Sequence, residues 1–364
     1  MKRLLIFFAF CALLTIPCRA EFSQEQRSAY GLDGLEETYA TDSDGDRLTV
    51  AGAAEDTAAT IKSVWENFTQ KIAEHLKSGA VSAGSVLIIA LICTMGMAVF
   101  DQDRLPEYIS LAGCLAVSYA AVGDVRSIIS MGSDALTKLN DFSTVLLPTM
   151  CTAAAAGGAI TSASAKYAAT ALFMDILITA ANNFIVPLIY AYIVSVIASA
   201  AVGGSALKGV TKVIKWLCVT LMSLITIAFT AYLGITGAIS GSADAAVTKV
   251  TKTAISAALP VVGGIISDAA SSVVAGAGIL RSAAGAFGMA AVCGICAAPF
   301  AALGVRYLLF KAAAACCSAL PAGRISELIG GIGSACGMML GLTGCGGIML
   351  FLSIISSIKA VSGA

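Results

Sequence analysis

Charge is scarce in this sequence. Asp, Glu, Lys and Arg make up 12% of its 364 residues, about half of what a soluble globular domain carries. So few charges cannot keep a soluble surface solvated, which excludes a soluble enzyme. A basic excess is missing too, because 22 Lys and Arg balance 22 Asp and Glu. Nothing is left over to neutralise phosphates along a nucleic acid. Histidine occurs once, as His75. A zinc helix of the His-Glu-x-x-His kind needs two, so Glu74-His75 is no metal site. A Ser-His pair inside the apolar region is excluded for the same reason. No Walker loop or dinucleotide fingerprint occurs, and no cofactor is expected. What is abundant is apolar: 58% of residues are hydrophobic, and the mean hydropathy is +0.89. The chain reads as an all-α, polytopic integral membrane protein, with membrane lipid as its surroundings.

The zero net charge hides a split. Residues 1–20 carry Lys2, Arg3 and Arg19, with thirteen mostly apolar residues from Leu4 to Ile16 and Cys18-Arg19-Ala20 after them. That is a signal peptide pattern, too short to span about 30 Å of hydrocarbon comfortably; a retained N-terminal anchor is the alternative. Residues 21–80 hold twelve acids and five bases and read as an acidic extracytoplasmic segment. Within it, Ile61, Val64, Trp65, Phe68, Ile72 and Leu76 share one helical face, an amphipathic helix preceded by a flexible stretch. Residues 81–364 form the multi-span membrane domain, with only 24 charged residues.

Candidate spans are 81–100, 108–123, 143–165, 168–203, 216–239, 283–303 and 329–358, and residues 307–321 are apolar around Lys311. The segment 125–142 is amphipathic and reads as interfacial. The 168–203 stretch is too long for one span of ~20 residues and short for two. Asp175, Asn182, Asn183 and Pro187 interrupt it, so a broken helix or a tight hairpin is expected, and a double crossing is favoured. Residues 241–281 read as two helices joined by Pro260-Val261-Val262-Gly263-Gly264, a hinge or re-entrant turn followed by Asp268. The total is about seven transmembrane helices plus interfacial amphipathic helices.

Few residues carry chemistry. Asp42-Ser43-Asp44-Gly45-Asp46 starts like a calcium loop, but Arg47 and Ala53 stand where the glycine and the bidentate glutamate belong. Cys293-Gly294-Ile295-Cys296 lies in an apolar span and reads as packing, not redox chemistry. Ala121-Val122-Gly123-Asp124 lacks the first glycine of an intramembrane aspartyl protease motif. Asp175, Asn182 and Asn183 form a candidate polar lining, because ionisable residues inside membranes are costly and face cavities or partners. Interhelical hydrogen bonding, or Asp175 near a membrane surface beside Lys166, is the alternative and the favoured reading. Gly333, Gly337 and Gly341 form a small-residue stripe for close helix packing, internal or through self-association.

The order of these features resembles the stage III sporulation protein AE family. The resemblance rests on Leu146-Leu147-Pro148 through Gly157-Gly158-Ala159-Ile160-Thr161-Ser162, and on Val186-Pro187-Leu188. Gly234, Gly237, Ala238, Lys249, Pro260 to Gly264, Asp268-Ala269 and Arg281 add to it. It implies a multi-pass subunit in the mother-cell membrane around the forespore, within a channel-like complex. Its implied partners are other stage III sporulation membrane proteins and a secretion-type ATPase. It carries over no catalytic residues. The residues alone also fit an autonomous small-molecule transporter using Asp175 and Asn182.

Overall fold

The structure is a computed structural model that describes residues 32–42, 49–50, 57–99, 105–156, 160–203, 205–258, 263–319 and 323–359. Among them every element is helical: α1 (Leu32–Asp42), α2 (Thr57–Val99), α3 (Leu105–Ala156), α4 (Ile160–Ala180), α5 (Val186–Val202), α6 (Ser205–Ala258), α7 (Gly263–Ser318) and α8 (Gly323–Lys359). A π-helical turn, Ala181–Ile185, joins α4 to α5. Six stretches in these helices are long and apolar enough to cross a membrane, against an expectation of about seven.

The difference comes from helices that continue through residues read as breaks. α3 runs 52 residues through Asp124 and Arg126, about 78 Å at 1.5 Å per residue. It absorbs the second span, the interfacial segment and the start of the third. α2 joins the amphipathic helix to the first span and passes unbroken through residue 80. α7 joins 283–303 to 307–318 through Arg306. The expected double crossing of 168–203 is not what forms. Residues 160–202 make one rod of α4, the π turn and α5. Pro187 supplies no N–H and its ring crowds the carbonyl four residues back, at Asn183. The chain accommodates this by widening one turn, so that the Val186 N–H bonds the Ala181 carbonyl, and the rod continues. The Pro260 turn lies outside the described residues, between the ends of α6 and α7. Gly263, Gly264 and Asp268 lie in the first turns of α7, where only the helical backbone is described.

Successive rods run antiparallel. One end of the bundle gathers the α2–α3, α5–α6 and α7–α8 connections. There Arg324 meets Glu107 at 3.4 Å and Lys208 meets Glu327 at 2.7 Å. The opposite end carries the start of α2, the end of α3, the start of α4 and the end of α8. There the Lys166 amine donates to the Ser356 carbonyl, and Thr170 and Ser353 share a hydrogen bond. Gly203 caps α5 at φ +73, and its N–H bonds the Ser199 carbonyl at 2.9 Å. A side chain there would strike the Arg324 guanidinium.

α7 and α8 are the centre. Their most apolar windows are 67% and 61% buried, against 22% for α2 and 28% for α6. Outer helices cover them and turn Val81, Ile88, Ile92, Val194, Leu224 and Ile227 outward, as a lipid-facing belt requires. Glycine sets the approach of the helices. A Cβ at Gly331 would collide with Val196, one at Gly132 with Met339, and one at Gly346 would sit 2.8 Å from Leu136. Part of the acidic segment docks on this core rather than staying flexible. Leu32, Leu35 and Tyr39 of α1 are fully buried, with the Tyr39 ring 6.0 Å from that of Phe287. The Val50 N–H bonds the Glu36 carboxylate at 2.7 Å.

Two expectations follow. Reporter fusions placed at 203 and 321 should share one compartment, and fusions at 158 and 261 the other; a split within either pair would overturn the single crossing of 160–202. Gly331→Leu should cost about 1–3 kcal/mol by overpacking against Val196, read as a lower melting temperature in detergent. Gly209→Leu, with open space around it, should leave the melt unchanged.

Candidate functional site

Charges that continue through the rods must be satisfied inside protein, because hydrocarbon offers no partner. They collect in two clefts and a partition.

The first cleft, about 500 Å³, lies between α2, α3 and α7. α2 contributes Lys71, Glu74 and His75, and α3 contributes Ser130, Asp134 and Lys138. The Ser130 hydroxyl donates to the Asp134 carboxylate at 3.1 Å. Gly294, Ile295 and Pro299 of α7 form its floor. Pro299, inside α7, has no N–H to offer the Ile295 carbonyl.

The second cleft, about 480 Å³, lies among α5, α6, α7 and α8, toward the end that gathers the three connections. Lys208, Lys212 and Lys215 recur at intervals of four and three, which puts them on one face of α6. Lys208 pairs with Glu327. Ser334 of α8 is the node. Its hydroxyl donates to the Gly330 carbonyl at 3.0 Å and accepts from Lys311 at 2.9 Å and from Lys215 at 3.3 Å. Lys311 also donates to the Gly330 carbonyl at 2.8 Å. Beside them Ser195 and Thr211 share a hydrogen bond of 2.6 Å.

Between the clefts stand Arg306 of α7 and Asp124 of α3, 4.0 Å apart, with side-chain exposures of only 11% and 15%. This is a buried ion pair at long range. Arg306 Nη1 is buried with no hydrogen-bond partner among the described residues. Arg306 lies within electrostatic reach of His75 on one side and of Cys336 on the other, and Lys311 reaches Cys336 as well.

The residues singled out in the sequence fall elsewhere. Asp175, Asn182 and Asn183 are exposed on the outside of the α4–π–α5 rod and line neither cleft. Gly333 and Gly337 face α7: a Cβ would lie 3.2 Å from Phe310 at Gly333 and 3.0 Å from Tyr307 at Gly337. Gly341 turns toward Met222 of α6, 3.9 Å from its methyl. Cys293 and Cys296 are buried in α7. His75 is half-buried at the first cleft. Arg306, Lys311 and Ser334 were not singled out. Their signal was a cation inside each of two apolar runs, which reads equally well as the end of a span. Among the described residues no three His, Cys, Asp or Glu side chains gather as metal ligands.

Residues 48–361 match the family model described as Stage III sporulation protein AE. No curated protein and no solved structure matches the chain.

The partition has a testable weight. Removing one partner of a buried pair leaves an uncompensated charge and costs about 3–5 kcal/mol. Asp124→Leu should therefore lower the melting temperature sharply, and Asp124→Leu with Arg306→Met should recover most of the loss. Equal melts for wild type and Asp124→Leu would show that the pair carries no stability.

Proposed function

Because the chain belongs to the stage III sporulation protein AE family, we propose that it is the membrane-embedded subunit of the channel-like complex that links mother cell and forespore. The family match over residues 48–361 carries this reading. A role in stage III sporulation and a multi-pass membrane location follow from membership and from the six apolar stretches. The complex, its secretion-type ATPase and the mother-cell membrane around the forespore are the finer proposal.

The outer face supports a subunit role. Asp175, Asn182 and Asn183 are exposed on a rod whose other outward residues include Leu172, Ile176, Phe184 and Tyr190. Two amides and a carboxylate facing lipid are costly, whereas facing another protein they form interhelical hydrogen bonds. In the assembly they line a contact with a neighbouring subunit, another sporulation membrane protein or a second copy. With the acidic segment outside the cytoplasm, the end bearing Lys208, Lys212, Lys215 and Arg324 faces the cytoplasm, where basic residues are favoured. An ATPase partner would meet that end.

A second reading, an autonomous small-molecule transporter, is favoured by two polar clefts reaching toward one partition. A tagged pull-down from sporulating cells in mild detergent separates the two. Recovery of the other stage III membrane proteins and an ATPase is the expected result. Asp175→Leu should reduce that recovery while leaving the melt unchanged. A self-associated protein without partners, catalysing uptake in liposomes, would replace the complex with the transporter.

A further inference from the structure

The cleft among α5, α6, α7 and α8 has more cation than its own carboxylates compensate. Lys208, Lys212, Lys215 and Lys311 converge on it, and Glu327 is the one acid that lines it. Glu327 is engaged with Lys208 at 2.7 Å. Lys212, Lys215 and Lys311 have no carboxylate within 4.0 Å among the described residues. The amines of Lys215 and Lys311 instead share the Ser334 hydroxyl, and Lys311 adds the Gly330 carbonyl. Neutral oxygens hold these amines in place without cancelling their charge. Holding like charges together in a membrane bundle is unfavourable unless an anion completes the set.

We propose that this cleft is a binding site for a phosphate group. Three lysines without carboxylate partners suit an anion that carries more than one charge or several acceptor oxygens, and lysine ammonium groups bind phosphate as point charges. A volume of about 480 Å³ accommodates a headgroup or a small phosphate ester. The position allows two sources of the same chemistry. The cleft lies at the end of the bundle where Val202, Val210, Val213 and Trp216 are exposed, a belt of apolar and aromatic residues next to lysines that suits a lipid headgroup. The same mouth admits a soluble phosphate. The site stands whether or not the complex proposed above exists.

The test uses the full chain in bilayer nanodiscs of phosphatidylcholine, with or without phosphatidylglycerol. Inorganic phosphate is titrated at constant ionic strength against chloride. Binding is read by tryptophan fluorescence in a Trp65→Phe background, which leaves Trp216 beside Lys215. A saturable response in phosphatidylcholine discs that chloride does not produce is expected. Lys212→Glu, an exposed reversal that leaves the packing alone, should weaken it at least about tenfold, the scale of one charge-assisted bond. Lys311→Met should abolish it, provided the variant still melts cooperatively. Phosphatidylglycerol that co-purifies with the wild type and suppresses the phosphate response assigns the site to a lipid headgroup. A phosphate response undiminished by phosphatidylglycerol assigns it to a soluble phosphate. A response matched by chloride, or unchanged in Lys212→Glu, overturns the site. So does the absence of both a phosphate response and retained phosphatidylglycerol.

Discussion

Everything in this bundle depends on how closely α8 can approach α7. In lipid there is no hydrophobic gain from bringing two apolar helices together, because tails and side chains are equally apolar. Association rests on contact area and on polar groups that find partners in protein. Gly333 and Gly337 provide the first. With no side chains of their own, they let Phe310 and Tyr307 lie where a Cβ would touch them at 3.2 and 3.0 Å. The second follows from the first. At that spacing the Lys311 amine reaches the Gly330 carbonyl and the Ser334 hydroxyl. Larger side chains at 330 and 333 would hold the helices apart and strand a cation in the apolar interior. Glycine spacing and buried charge are therefore one design, not two.

The same coupling explains what the sequence disclosed and what it concealed. Membrane class and helical content were legible, because hydropathy and helical period are properties of a single segment. Asp124 and Arg306 fell just outside the expected apolar stretches and Lys311 inside one, because a charge beside an apolar run normally marks water. Here the compensating group sits on another helix: Asp124 on α3 answers Arg306 on α7, and Ser334 on α8 answers Lys311. No window along one segment contains that information. Asp175, Asn182 and Asn183 were conspicuous for the same reason in reverse. They are polar in an apolar run, yet among the described residues they line neither cleft, and the rod turns them outward.

Topology shows two departures from expectation that offset each other. Reading 108–156 as more than one element added a crossing, and reading 168–203 as a hairpin added another. Both segments are single rods, so the lysines of α6 still end on the same side as the 100–104 connection. What turned the second segment from a hairpin into a rod is local. The turn at Ala181–Ile185 widens by one residue, so that the Val186 N–H bonds the Ala181 carbonyl just before Pro187 and the rod continues. A proline in a membrane helix is no reliable stop, because a π turn restores the ladder within a few residues.

Placing cations on both sides of one buried pair has a physical consequence. Asp124 is the acid closest to Arg306, and it stands 4.0 Å away with the guanidinium's Nη1 left without a hydrogen bond. Arg306 is thus held by position more than by bonding, since the α7–α8 contact fixes its backbone while its head remains incompletely satisfied. A group in that state responds to whatever charge enters the neighbouring clefts, because low-dielectric surroundings leave it poorly screened. An anion bound at Lys311, as proposed, would lie beside the same helix, five residues from Arg306, and would compete with Asp124 for its field. Occupation of the proposed phosphate site would therefore be felt at the partition through α7, with no moving element needed to connect them.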